Sequence, residues 1–114
     1  MGIDDLKLND REKAAVKEFA ERLKKALGDQ LVSIRLFGSK VRGDSGPESD
    51  IDIFVLTRDE KDASRGTVAT IAAQIWEETD ILLSPVTFTV YEKKVNDELR
   101  SFFFEAVERE GLSL

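Results

Sequence analysis

The sequence predicts an α/β (α+β) fold in which helices pack on a small mixed β-sheet. Three stretches carry apolar residues at helical spacing, and three shorter stretches alternate apolar and polar residues as strands do. They follow one another as helix, strand, strand, helix, strand, helix, an order that favours helices layered on a sheet. Because the 114 residues contain no repeat and no linker, we predict a single domain over residues 1–114.

The first helix has clear signals at both ends. Asn9 and, three residues later, Glu12 predict a capping box that opens the helix. Lys24 and Lys25 in the last turn and Gly28 just beyond it are typical of a helix end. Seven apolar residues share one helical face between these ends: Ala15, Val16, Phe19, Ala20, Leu23, Ala26 and Leu27.

Two strands follow, with a loop over Asp44 to Ser49 between them. We predict the first strand at Leu31 to Phe37 and the second at Asp50 to Thr57. The residues predicted to share the core face are Val32, Ile34 and Leu36 on the first strand and Ile51, Ile53 and Val55 on the second. Asp50 and Asp52 then point to the opposite face, because successive side chains of a strand alternate.

The second helix is predicted from five apolar residues at helical spacing: Val68, Ile71, Ala72, Ile75 and Trp76. It ends near Thr79, and Gly66 leaves its start open. Trp76 is assigned to the core.

A third strand and a last helix complete the prediction. Pro85 to Tyr91 reads as a strand, with Val86, Phe88 and Val90 on its core face. Asn96 is predicted to cap a helix that ends at Gly111. Its apolar stripe is Leu99, Phe102, Phe103, Ala106 and Val107, and we expect Phe104 to be either an exposed contact for a partner protein or the rim of the core.

Composition excludes several classes of function. The net charge of −6 argues against a sequence-independent nucleic-acid binder, which normally shows a basic face. With no Cys and no His, chemistry must use carboxylates, hydroxyls, amines and the backbone. No stretch approaches the ~20 apolar residues that span a bilayer, and the N-terminus lacks the apolar run of a signal peptide. We therefore expect no membrane contact and a cytoplasmic location.

The segment from Gly38 to Asp52 carries the chemistry. Asp50 and Asp52 lie two residues apart on one strand face, roughly 7 Å along it. Such carboxylates suit Mg²⁺ that also binds substrate phosphates. Gly38 and Ser39 can offer backbone N–H groups and a hydroxyl to a phosphate. The segment indicates a site for a metal–nucleoside triphosphate, and the alternative is an edge strand whose acids are merely solvated.

This pattern resembles the signature of the DNA polymerase beta-type nucleotidyltransferase superfamily: Gly38-Ser39, a ten-residue spacer from Lys40 to Ser49, then Asp50-Ile51-Asp52. The chain is most similar to minimal nucleotidyltransferases, over Leu31 to about Gly111. The resemblance implies the nucleotidyltransferase fold and transfer of a nucleoside monophosphate. The expected group is AMP, with Mg-ATP as its donor. It gives Asp50 and Asp52 the catalytic and metal-binding roles. The nucleotide-binding residues are then Gly38, Ser39, Lys40, Arg42 and Ser49.

The resemblance also implies a partner. Minimal nucleotidyltransferases are often paired with a small helical HEPN-type protein, several as the antitoxin that modifies a toxin, so the acceptor hydroxyl is expected on another chain.

One feature departs from the family. Active members carry a third carboxylate on a later strand, but Ser84 to Val90 holds no acid. We expect the equivalent position at Pro85 or Thr87, with Asp80 and Glu92 as flanking substitutes. The alternative function is therefore a catalytically weakened module that binds a nucleotide or a partner.

Overall fold

The computed structural model describes residues 8–37, 50–58, 63–98 and 111–114. Their helices are α1 (Asp10–Leu27), α2 (Ala63–Thr79) and α3 (Val90–Glu98), and a single 3-10 turn, Gly28–Gln30, follows α1. Their strands are β1 (Leu31–Phe37), β2 (Ile51–Thr57), β3 (Leu83–Thr89) and β4 (Leu112–Ser113).

These strands form one mixed sheet in the order β3-β2-β1-β4. β1 pairs antiparallel with both β2 and β4, whereas β2 and β3 are parallel and are joined through α2. The predicted α/β class with a small mixed sheet is therefore confirmed. β4 was not predicted, because two residues are too few to show alternation.

The ends of α1 follow from local sequence. The Asn9 side chain accepts a hydrogen bond from the Glu12 N–H at 2.8 Å, and the Glu12 carboxylate accepts one from the Asn9 N–H at 3.0 Å. This capping box was predicted. Gly28 ends the helix with φ 52°, a conformation that favours glycine, and its N–H donates to the Lys24 carbonyl.

The main core lies between the sheet and α1 and α2. Ile51, Ile53 and Val55 face it from β2 and are at most 1% exposed, as predicted. Phe19 of α1 and Ile75 of α2 pack in the same cluster. β2 is thus covered by helices along this face.

The opposite face of the sheet holds a second apolar cluster. Phe54 and Leu56 are buried there, and Phe37 and Phe88 pack against them. The rings of Phe54 and Phe88 stack with centroids 5.9 Å apart. β2 is therefore apolar on both faces in its second half.

The end of β3 differs from the prediction. β3 stops at Thr89, and Val90 begins α3, because Thr89 and Glu92 cap the helix reciprocally. The Thr89 hydroxyl accepts a hydrogen bond from the Glu92 N–H at 3.1 Å, and the Glu92 carboxylate accepts one from the Thr89 N–H at 3.0 Å. The sequence Thr89 to Glu92 has the capping-box spacing. Asn96, predicted as a helix cap, lies inside α3.

Three apolar residues assigned to the core are exposed: Val32, Trp76, and Val90, which is 40% exposed at the start of α3. Val32 is 39% exposed, because the pairing of β1 with β2 shifts register between Leu31 and Ser33 and disrupts the alternation. Trp76 is 46% exposed on α2, so its assignment to the core was wrong.

The start of α2 is now defined, whereas several predicted features fall on residues that the structure does not describe. α2 begins at Ala63, so Gly66 lies inside it, where a Cβ would contact nothing within 4 Å. The loop at 44–49, the stripe at 99–107 and Phe104 lie outside the described residues. None of the helices among residues 8–37 and 63–98 is long and apolar enough to cross a bilayer.

The burial of Phe19 and the exposure of Trp76 predict different costs of truncation. Phe19→Ala should lower the free energy of unfolding by about 3–5 kcal/mol, because it leaves a cavity in the main core. Trp76→Ala should lower it by about 1 kcal/mol or less, as is typical of surface positions. Urea denaturation followed by circular dichroism measures both. Equal losses would place Trp76 in the core after all.

The cap of α3 predicts a pH dependence. The hydrogen bond from the Thr89 N–H, aided by the Arg65 guanidinium, lowers the pKa of Glu92 below its ordinary value of 4.5. A carboxyl whose folded-state pKa is depressed stabilises the fold above its unfolded-state pKa, and this stabilisation is lost as pH falls through the lower folded-state pKa. Denaturation at neutral and at acidic pH should therefore show wild type losing more stability than Glu92→Gln. An equal loss of stability in wild type and Glu92→Gln would contradict a stabilising role for the Glu92 carboxylate.

Candidate active site at the start of the central strand

Asp52 lies in the interior of the sheet. Its Cα pairs with Phe37 of β1 on one side and with Ser84 of β3 on the other. β2 is therefore not an edge strand, since it has a hydrogen-bonded neighbour on both sides.

Asp50 precedes β2 and is exposed, while Asp52 is half-buried. The N–H of Ile51, between them, donates to the Leu82 carbonyl at 3.3 Å, which ties the start of β2 to the segment before β3. None of the described residues gives the Asp50 carboxylate a hydrogen bond or an ion pair.

The donor set fits Mg²⁺. Mg²⁺ is usually held by one or two carboxylates plus substrate phosphates, which matches an exposed and a half-buried aspartate two residues apart. Over residues 8–37, 50–58, 63–98 and 111–114, there is no cluster of three acidic, His or Cys side chains that would form a cage from protein groups alone.

The residue beside Asp52 on β3 is Ser84. Pro85 and Thr87, the positions predicted for a third carboxylate, pair with Ile53 and Val55 and so lie on the helix-covered face. The prediction was wrong because it assumed that Val86 and Phe88 face the main core. Each face of the sheet carries an apolar cluster, so the hydrophobicity of these residues could not show which face they are on. β3 carries no acid on either face.

The two flanking acids lie at opposite ends of β3. Glu92 follows Thr89, whose partner is Thr57 at the far end of β2, and it is engaged by its cap and by Arg65 at 3.1 Å. Glu92 therefore does not substitute at the site. Asp80 precedes β3 at the end near Asp50; it is exposed, with φ 61°, and its N–H donates to the Trp76 carbonyl.

The predicted nucleotide-binding residues Gly38, Ser39, Lys40, Arg42 and Ser49 lie outside the described residues and stay predictions. β1 ends at Phe37, the partner of Asp52.

Sequence reasoning gave no role to Arg35. Its Cα pairs with Phe54, so alternation puts its side chain on the Asp52 face. The signal that was available is a cationic residue whose neighbours on both sides, Ile34 and Leu36, are apolar.

Residues 16–109 match the family described as the nucleotidyltransferase domain. The chain belongs to this family. The match includes every described element apart from β4 and the first six residues of α1.

A candidate protein adenylyltransferase of Methanocaldococcus jannaschii, MJ0141, is 31% identical over 100 residues, which cover 87% of this chain and 94% of that protein. A chain in a crystal structure of a toxin–antitoxin with AMP-PNP is 26% identical, with a TM-score of 0.55, over 83% of this chain and 68% of that one. A chain in an MntA–HpeT toxin–antitoxin mutant, with two aspartates two positions apart changed to glutamate, is 25% identical, with a TM-score of 0.55, over 93% and 72%. These similarities confirm the expected fold and family.

The position of Ser84 predicts that a third carboxylate can be restored. Ser84→Asp should tighten binding of Mn²⁺, used as a spectroscopic substitute for Mg²⁺, by about tenfold, because affinity rises with the number of carboxylate ligands. Thr70→Asp, on the exposed side of α2, adds the same charge on the other face of the sheet from Asp52 and is the control. Electron paramagnetic resonance measures free Mn²⁺ directly. Equal tightening in both variants would indicate a general charge effect and contradict the placement.

Proposed function

We propose that this nucleotidyltransferase transfers AMP from Mg-ATP to a hydroxyl group on a partner protein. The observation that carries the proposal is the position of Asp50 and Asp52 at the start of an interior strand, beside the end of β1. There the two carboxylates can hold a divalent cation while Gly38 and Ser39, next in sequence after β1, contact the phosphates.

The choice of donor and acceptor is supported by the relatives. MJ0141 is named for protein adenylylation, one structural neighbour is a toxin–antitoxin with AMP-PNP, and another carries changes at two aspartates with the spacing of Asp50 and Asp52. A partner of the toxin–antitoxin kind would supply the acceptor, and the HEPN class remains an expectation from the family resemblance.

The reaction forms one bond and breaks one. The acceptor oxygen attacks the α-phosphorus, the bond from that phosphorus to the bridging oxygen breaks, and pyrophosphate leaves with the electron pair. The hydroxyl proton passes to a carboxylate of the pair or to water. Bound Mg²⁺ would neutralise charge on the phosphates, and such transfer depends mainly on positioning and electrostatics.

The chain's own residues supply that positioning. Asp52 is fixed by pairing on both sides, whereas Asp50 is exposed and can turn toward a ligand. The spacing, roughly 7 Å along the strand, allows both carboxylates to serve one substrate.

The test separates transfer from binding. The protein is incubated with Mg²⁺, an extract of its source cells, and ATP labelled at either the α- or the γ-phosphorus. Among the bands that appear only when the protein is added, we expect label from α-labelled ATP and none from γ-labelled ATP, because AMP retains the α-phosphorus and pyrophosphate carries the γ. Asp50→Asn/Asp52→Asn, which keeps size and removes both charges, should abolish the label.

Calorimetry with Mg-ATP alone completes the test. Binding that the double variant loses, together with transfer of α-label, supports the proposal. γ-label that appears only when the protein is added would indicate a kinase, and α-label that survives in the double variant would place the chemistry elsewhere.

A second candidate function is a nucleotide- or partner-binding module without turnover. The observation that favours it is Ser84, which stands beside Asp52 where a third carboxylate would complete the site. Mg-ATP binding with no transfer of α-label would select this function.

A further inference from the structure

We infer that Arg35 contacts the β- and γ-phosphates of the bound nucleotide. The inference rests on the proposed function and assigns a phosphate-binding residue that belongs to neither the Gly38-Ser39 pair nor the aspartate pair.

Register places Arg35 close to the aspartate pair. Arg35 is paired with Phe54, and two residues further along the same two strands Phe37 is paired with Asp52. Arg35 and Asp52 are therefore diagonal neighbours on one sheet face, with Cα atoms about 7–8 Å apart. An arginine side chain spans such a distance, so its guanidinium can reach a ligand that also contacts Asp52.

Arg35 differs from the other arginines that the structure describes. Arg11, Arg22, Arg58 and Arg65 each donate to a carbonyl or a carboxylate, for example Arg22 to Glu78 at 2.6 and 2.9 Å. In residues 8–37, 50–58, 63–98 and 111–114, Arg35 alone among arginines has no hydrogen bond or ion pair.

A half-buried guanidinium without a partner is unfavourable unless a ligand completes it. Arg35 is half-buried, and its guanidinium carries five N–H donors. Partial burial removes some of the water that would otherwise hydrate it. Arg35 and Asp52 form no ion pair with each other, so Arg35 does not serve to neutralise that carboxylate.

The chemistry of the neighbourhood selects phosphate as the partner. Asp52 provides the negative group for a cation, while Arg35 provides a planar, bidentate donor that matches phosphate oxygens. Arg35 also lies on β1, which leads directly into Gly38 and Ser39, the proposed phosphate contacts. Arg35 is also separated from β3 by β2.

The experiment compares nucleotides that differ in phosphate number. Arg35→Gln and Arg35→Lys are titrated by calorimetry with ATP, ADP and AMP in excess Mg²⁺. Arg58→Gln is the matched control, because it removes the same charge at the far end of β2, where Arg58 binds the Asp29 carbonyl at 2.9 Å.

We expect Arg35→Gln to weaken ATP binding by about tenfold or more, the size of a lost charge-assisted bidentate contact. AMP binding should change little, and Arg35→Lys should fall between wild type and Arg35→Gln. Arg58→Gln should bind ATP like wild type. The melting temperature of nucleotide-free Arg35→Gln should match or exceed that of wild type, because no internal partner is lost.

The remaining outcomes overturn the inference in distinguishable ways. Wild-type ATP affinity in Arg35→Gln would overturn it and leave the proposed function intact. Equal weakening of ATP and AMP binding would show that Arg35 contacts the nucleotide away from its β- and γ-phosphates. A clear fall in melting temperature would show that Arg35 stabilises the fold. Failure of wild type to bind ATP would overturn the proposed function, and this inference with it.

Discussion

The interior position of β2 is the constraint on which the rest of the structure depends. β2 pairs antiparallel with β1 and parallel with β3, so its backbone is fixed on both sides. Its first face is closed by α1 and α2, and its second by the cluster of Phe54 and Leu56. Only the start of the strand remains open, and there the two aspartates stand. A charged pair can be held there because its neighbours along the strand contribute apolar burial.

Burial, more than ion pairing, holds the helix layer to this sheet. The bidentate contact between Arg22 of α1 and Glu78 of α2 lowers the pKa of Glu78, but the two side chains are largely hydrated. Such exposed pairs contribute little to stability. Phe19 and Ile75, which are almost fully buried in the same layer, contribute far more. The core therefore contributes most of the stability of this layer, and the surface pair contributes little.

Local signals in the sequence predicted local structure well. The Asn9–Glu12 box and the bounds of β1 are as expected, because each depends on residues close in sequence. The errors concern relations between distant segments. The face of β3 was inverted because its alternation is apolar on one side and Thr-rich on the other, and only its register with β2 decides which side meets α2. Trp76 was misassigned because helical spacing does not show where a core ends.

The candidate site divides in the same way. The aspartate pair was predicted from its spacing and from the Gly38-Ser39 that precedes it, whereas Arg35 becomes a candidate only when register places it on the Asp52 face without a partner. Charge balance explains why such a residue matters in this chain. Under the proposed function, one divalent cation would offset the two aspartates and leave most of the charge of a triphosphate uncompensated. β3 offers Ser84, and no carboxylate, beside Asp52, so cationic side chains such as Arg35 would supply that compensation.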